Sequence, residues 1–253
     1  MNKFNVSQNF NAKPHNKHLM KIINLVFLVL AISCSKSQSN LKINQSINTN
    51  PTNKNCEHTF QFGKAFLCVP KIKGMQNIIF NSKSKDYIQS KNYPGNTVVA
   101  YYVNEKIYEN LEILYSDQFD DFFQIFVTNN NENQDVNDNY FKEINEGIKE
   151  YLNSSNWNDL KKKLENLNEN NVFEKPIIAE SYALSSNSIQ HVTLVTIKKD
   201  NIQKNMIAIG NMFIINNRLF YATYNHYFQN SKSIEEAKKR NDEIMLQILK
   251  LNE

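Results

Sequence analysis

The residues of this chain that could do chemistry fall into three groups. The first is its three cysteines, Cys34, Cys56 and Cys68. The second is the histidines of the body of the chain, His58, His191 and His226, and the third is the acidic run Asp117, Asp120 and Asp121. A thiol can serve as a nucleophile, a metal ligand, half of a disulfide or an attachment point. Cys56-x-His58 with Cys68 sketches a zinc site, but a fourth ligand at recognisable spacing is missing. An even pair after Cys34 invites a disulfide closing a short loop; the other outcome is one buried and one loose thiol. Paired carboxylates can do acid–base work, yet no histidine or nucleophile lies near the three aspartates in sequence. They read as a solvated turn. His191 and His226 sit inside strand-like runs and read as histidines satisfied at the edge of a core. There is no P-loop, no Gly-x-Ser-x-Gly and no dinucleotide fingerprint. The five glycines leave little material for a phosphate-cradling loop. The sequence predicts no catalytic set, no metal site and no cofactor.

Cys34 owes its interest to what precedes it. Lys21 is followed by an apolar run from Ile22 to Ile32. The run is shorter than the roughly 20 residues of a membrane span and has the length of a signal-peptide hydrophobic region. Leu30-Ala31-Ile32-Ser33-Cys34 resembles a bacterial lipobox, with Ala31 standing where leucine is commonest. The resemblance implies a diacylglyceryl group on the Cys34 sulfur and cleavage before it, so that residues 1–33 are a signal peptide. The alternative is an ordinary secretory signal with a chance cysteine. The polar residues 1–19 do not suit a signal, and translation is expected to begin at Met20.

The leader also explains the charge. The chain carries +4 in all. Lys3, Lys13, Lys17 and Lys21, with no acid before residue 34, account for that excess. The remainder is close to neutral, which argues against a nucleic-acid partner. Residues 34–57 are rich in Ser, Asn, Gln, Thr and Lys and bury too little to order themselves. They read as a flexible tether, with a short edge strand near Leu41 to Ile47 as the other reading.

Residues 58–253 have the length of a single domain. Strands are predicted at His58–Phe62 and Ala65–Val69 around Gly63-Lys64, then at Ile78–Phe80, Thr97–Val103 and Phe122–Thr128. Helices follow from Tyr140 to Tyr151 and from Trp157 to Leu167, then strands at Ile177–Leu184 and Ile189–Ile197. Met206–Ile215 and Leu219–Phe228 are both rich in β-branched and aromatic residues. Asn216-Asn217 between them suits a two-residue turn with positive φ. That turn sets Phe213 opposite Phe220, Ile209 opposite Tyr224 and Ile207 opposite His226. Both faces of the first strand are apolar, so it should be central and covered on each side. Ser233 to Glu236 reads as a capping box. It opens a helix whose stripe of Ile234, Ala237, Ile244, Met245, Ile248 and Leu249 is broken only by Asn241.

This order predicts an α+β fold, a mainly antiparallel sheet flanked by helices and closed by the C-terminal hairpin and helix. Phe66-Leu-Cys-Val-Pro70, the meander, and Asn217 to Thr223 leading to Ser-x-x-Glu resemble PsbP-like α/β/α sandwich proteins. The Pro-x-x-Trp usual there is replaced by Pro70-Lys71-Ile72-Lys73. The resemblance implies a binding or assembly role. The sequence reading is therefore a lipid-anchored protein of the bacterial envelope, held to a membrane through Cys34 and binding a protein partner there. An envelope enzyme using the acids near Asp120, or a small-molecule carrier, are the alternatives.

Overall fold

The computed structural model describes residues 47–48, 56–92, 94–116, 121–136, 139, 141–143, 146, 167, 172–173, 176–199 and 202–253. The leader, Cys34, most of the tether and most of the two central helices lie outside the described residues. So do Asp117 and Asp120.

Two ladders make up the structure. A small sheet has the order β1-β2-β3, from Ile47–Asn48, Cys56–Phe62 and Ala65–Pro70. A seven-stranded sheet has the order β4-β5-β6-β10-β9-β8-β7. Its strands are β4 (Met75–Asn77), β5 (Asn96–Asn104), β6 (Phe122–Thr128), β7 (Ile177–Ser185), β8 (Ser188–Lys199), β9 (Ile202–Ile215) and β10 (Arg218–Tyr227). Every pairing is antiparallel. Helices α1 (Lys85–Lys91), α2 (Glu105–Glu109) and α3 (Ile113–Ser116) follow the early strands, and α4 (Ser231–Leu251) ends the fold.

The C-terminal hairpin follows the expected register, with Phe213 opposite Phe220, Ile209 opposite Tyr224 and Ile207 opposite His226. Asn216 and Asn217 take φ of 48° and 62°, the left-handed pair that such a tight turn requires. β9 is buried on both faces, as its two apolar sides demand. One face, with Ile207, Ile209, Phe213 and Ile215, packs on Ile234, Ala237, Ile244, Met245 and Ile248 of α4. The β2–β3 hairpin joins the same core through Phe60, Phe62, Leu67 and Val69. Across the sheet, Val98, Tyr101 and Val103 of β5 meet Tyr87, Ile88, Ile107 and Leu114 from the three short helices. Each such buried side chain contributes roughly 1.5–3 kcal/mol. Helices thus flank an antiparallel sheet on both faces: the class is α+β, layered α/β/α.

Three elements depart from the sequence reading. The strand expected at Ile78–Phe80 lies earlier, at Met75–Asn77. The side chain of Asn77 accepts from the amide of Ile79 at 3.2 Å, and that turn diverts the chain. The closing helix starts at Ser231, with Asn230 rather than Ser233 as its cap. Ser233 sits at the third helical position, where its hydroxyl oxygen accepts from the Asn230 amide at 3.3 Å. Asn caps as well as Ser does, and the earlier start adds helix. Glu236 is left outside the box and pairs with Lys232 at 3.5 Å. Finally, the segment expected to be a tether through residue 57 is partly ladder. Ile47 and Asn48 pair with Phe60 and Thr59, and β2 begins at Cys56. An open strand edge is a template for such pairing.

Two polar features fix the helices and turns against the sheet. Gly63 turns the β2–β3 hairpin with φ +56°, and a Cβ there would stand 2.2 Å from the Glu132 carbonyl oxygen. The guanidinium of Arg218, buried beside it, donates to the carboxylate of Asp135. On α4 the one polar break in the stripe finds its reason. Asn241 and Asn211 of β9 are both buried and exchange reciprocal amide bonds of 2.8 and 3.0 Å. Replacing Asn211 with Leu takes the Asn211 donor from the buried Asn241 carbonyl oxygen and leaves the Asn241 amide nitrogen with Asp242 at 3.2 Å, at a cost of roughly 1–3 kcal/mol. The Asn211→Leu/Asn241→Leu double variant removes both partners and should cost less than the sum of the singles. Urea midpoints of the four proteins check this.

Candidate functional site

The β6–β10 ladder brings together two residues that are 105 apart in sequence. In that ladder Asn225 stands opposite Phe122. One step further, His226 of β10 faces Asp121, the residue before β6. The side chains meet: Nδ1 of His226 and Oδ1 of Asp121 are 2.5 Å apart. The acceptor is a carboxylate oxygen, so the imidazole donates Nδ1–H. In the neutral ring that fixes the lone pair on Nε2, the tautomer of an oriented base. The pair is partly exposed, with side-chain accessibilities of 23% for His226 and 36% for Asp121.

Tyr224 shares this face. Its ring stacks on that of His226, with centroids 6.2 Å apart and planes at 20°. Burial pushes the Tyr224 phenol above its ordinary range, and the charge of Asp121 pushes it further, while Arg240 pulls the other way. Arg240 reaches in from α4, donating to the Lys73 carbonyl and pairing with Glu243 at 3.5 Å. The arrangement can hold and move a proton at an accessible imidazole. It supplies no nucleophile of its own within these contacts, so water or a substrate hydroxyl would have to provide one.

The other expected residues are placed elsewhere. Cys56 and Cys68 form a disulfide, their Cα atoms 5.3 Å apart. The β2–β3 register does set Thr59 opposite Cys68. A shift between Cys56 and His58 leaves Glu57 as an extra residue and bends the strand so that Cys56 reaches its partner. Closing this loop constrains the unfolded chain by roughly 3 kcal/mol. Bonded to each other, the two sulfurs are not thiolate ligands, which sets aside the zinc sketch of Cys56, His58 and Cys68. Among the described residues no three His, Cys, Asp or Glu gather to hold a metal ion.

His191 and His58 are buried. His191 of β8 lies opposite Ser181 of β7. The Ser181 hydroxyl stands 2.6 Å from Nδ1 of His191 and 3.1 Å from the Gln190 carbonyl, and donates to one of them. His58 donates from Nε2 to the Val99 carbonyl at 3.2 Å. Burial holds both rings down at about 4. Among the described residues, the large apolar side chains left exposed are Phe66, Phe80, Tyr108 and Leu246, on four separate stretches. No described helix is long and apolar enough to cross a membrane.

Comparison with known proteins adds little. No family model matches the chain, so the PsbP-like resemblance stays one of element order. No curated protein matches it. Among solved structures, the Ran-binding protein Mog1p of Saccharomyces cerevisiae is similar at 8% identity and a TM-score of 0.33. The match covers 74% of this chain and 88% of that one. At that level the likeness carries no argument about function.

The two buried histidines make acid stability the measurable consequence. Their folded values lie below the ordinary 6.5, so the unfolded chain binds more protons between about pH 6.5 and 4. Their stabilising contribution is complete above pH 6.5 and is lost as the pH falls through 4. Each histidine should cost about 2–3 kcal/mol between pH 7.5 and 4.5. Urea denaturation at the two pH values checks this, and His191→Gln should lose about half of the difference.

Proposed function

We propose that this chain is a lipid-anchored protein of the bacterial cell envelope with a non-enzymatic binding or assembly role toward an envelope protein. The lipobox-like run ending in Cys34 is the motive. The observation that supports it best is the disulfide between Cys56 and Cys68, because such bonds persist in oxidising compartments outside the cytoplasm. Leader and disulfide are independent features and imply the same export. The partner reading draws on the sandwich-like element order and on the near-neutral charge of the chain after residue 33.

Radiolabelled palmitate should enter the wild type, and Cys34→Ala should take up at least tenfold less. Equal labelling of both proteins ends the anchor. Crosslinking in intact envelopes, followed by detergent extraction, should then retain a partner protein with the wild type.

A second reading, an envelope enzyme, rests on Asp121 beside His226. Oriented imidazoles contribute on the order of a hundredfold or more to proton transfer. A screen of ester, amide and phosphoester substrates with wild type and His226→Gln separates the two. Turnover that falls about a hundredfold in the variant replaces binding by catalysis. Equal background in both leaves the pair as a cross-strand tie.

A further inference from the structure

The two sheets are separate ladders, and His58 is a place where a side chain spans from one to the other. It sits on β2, the disulfide-closed hairpin, and its Nε2 donates to the carbonyl of Val99 on β5 of the large sheet. That bond uses the proton of the neutral ring, so Nδ1 presents a lone pair. The ring is wholly buried, and among the described residues Nδ1 has no hydrogen-bond partner. A buried acceptor without a donor costs roughly 1–3 kcal/mol. A phenylalanine there would pack without that cost, so the imidazole is retained at a disadvantage to stability.

Phe80, in the turn after β4, meets the ring edge-on with centroids 4.9 Å apart and is itself 49% exposed. Among the described residues, charged and titratable groups near this end of β2 include Glu57 on the same strand, Lys71 beyond β3 and the phenol of Tyr102 on β5. The Tyr102 hydroxyl is engaged, donating to the Pro70 carbonyl at 2.6 Å. Burial raises the Glu57 carboxyl above its ordinary range, opposed by Asn77 and Lys71. The Glu57 carboxyl is therefore easier to protonate than an ordinary carboxylate.

We infer that His58 is an acid-sensitive latch between the disulfide-closed hairpin and the main sheet, with Phe80 as its flap. A proton added at Nδ1 finds no acceptor in the closed position. The imidazolium is hydrated only if the ring swings out past Phe80, and the swing breaks the bond to Val99. The motion is confined to the first residues of β2. Phe60, Phe62, Leu67 and Val69 stay in the main core, and the Cys56–Cys68 bond limits how far the strand end can travel. Acid would thereby expose a short backbone edge and an aromatic ring together, without unfolding the domain.

Hydrogen exchange, corrected for the intrinsic effect of pH, tests the latch on the disulfide-intact protein. With the closed ring at about 4 and an open ring at 6.5, the open fraction grows about thirty-fold between pH 7.5 and 5. The amides of residues 57–59 should lose protection by about that factor, and those of Ile207 and Ile209 in the core should not. His58→Phe should abolish the step and His191→Gln should keep it. Should His58→Phe fail to fold, Phe80→Ala serves: uncovering the ring should raise its NMR titration midpoint toward 6.5. Unchanged protection at residues 57–59, a step that survives His58→Phe, or equal loss at Ile207 and Ile209 overturns the latch.

Discussion

Everything at the centre of this molecule depends on the ladder between β6 and β10. β10 has a neighbour supplied by its own hairpin, β9, and a second neighbour supplied from about a hundred residues earlier. Without that second pairing the structure would be two unrelated meanders, β4-β5-β6 and β7 to β10, each with an open edge. Their junction closes the sheet into one seven-stranded surface that is apolar on both faces. Tyr221 against Phe126 and Tyr224 against Phe123 line it with aromatic pairs on alternate sides, and the Phe126 and Tyr221 rings stack at 5.4 Å. Cross-strand aromatic pairs of this kind are among the stronger side-chain contributions to sheet stability. The ladder is long-range, so it is also costly to nucleate.

The same ladder marks where reading the sequence stops. Local chemistry was legible. Asn216-Asn217 sets the hairpin register because only a turn with two positive φ angles joins strands so tightly, and the register follows by counting. The double-sided apolar pattern of β9 identifies an interior strand for a similar reason. Asp121 and His226 each stood out, but nothing in their neighbourhoods says that one lies opposite the other. That fact belongs to the crossover from β6 to β10, and strand order carries no local signature. The disulfide lay between these cases. Regular pairing puts Thr59 opposite Cys68, and only the extra residue at Glu57 brings Cys56 within reach. The helix cap was missed by three residues because Asn230 and Ser233 are both good caps, and the one that also accommodates the other as its box partner prevails.

Helix α4 does more than cover an apolar face. Its side chains and its C-cap, Asn252, hold β3 and the backbone that leaves it. Asn252 accepts from the Cys68 amide at 2.7 Å and donates to the Cys68 carbonyl at 3.0 Å. Gln247 donates to the Lys71 carbonyl at 2.9 Å, and Arg240 donates to that of Lys73. On its other flank Asp242 accepts from the Tyr182 hydroxyl at 2.7 Å, and Lys238 pairs with Glu180 of β7 at 2.6 Å. The helix therefore touches the small sheet at one side and the last strand of the large sheet at the other. Burial alone would let it slide along the sheet. The Asn211–Asn241 pair in the middle gives it a fixed register, the use of buried polar pairs that is best attested.

The contact of Asn252 with Cys68 has a further meaning at the level of assembly. A primary amide can set an N–H donor and an acceptor in the spacing of a peptide group, and the amide nitrogen of Asn252 also donates to the Ile248 carbonyl at 2.8 Å. Here the amide occupies the rim of β3 as an adjoining chain would. Bare rims of this kind are templates for edge-to-edge pairing with another chain. A single side chain seated on that rim occupies two bonds that an adjoining strand would otherwise make.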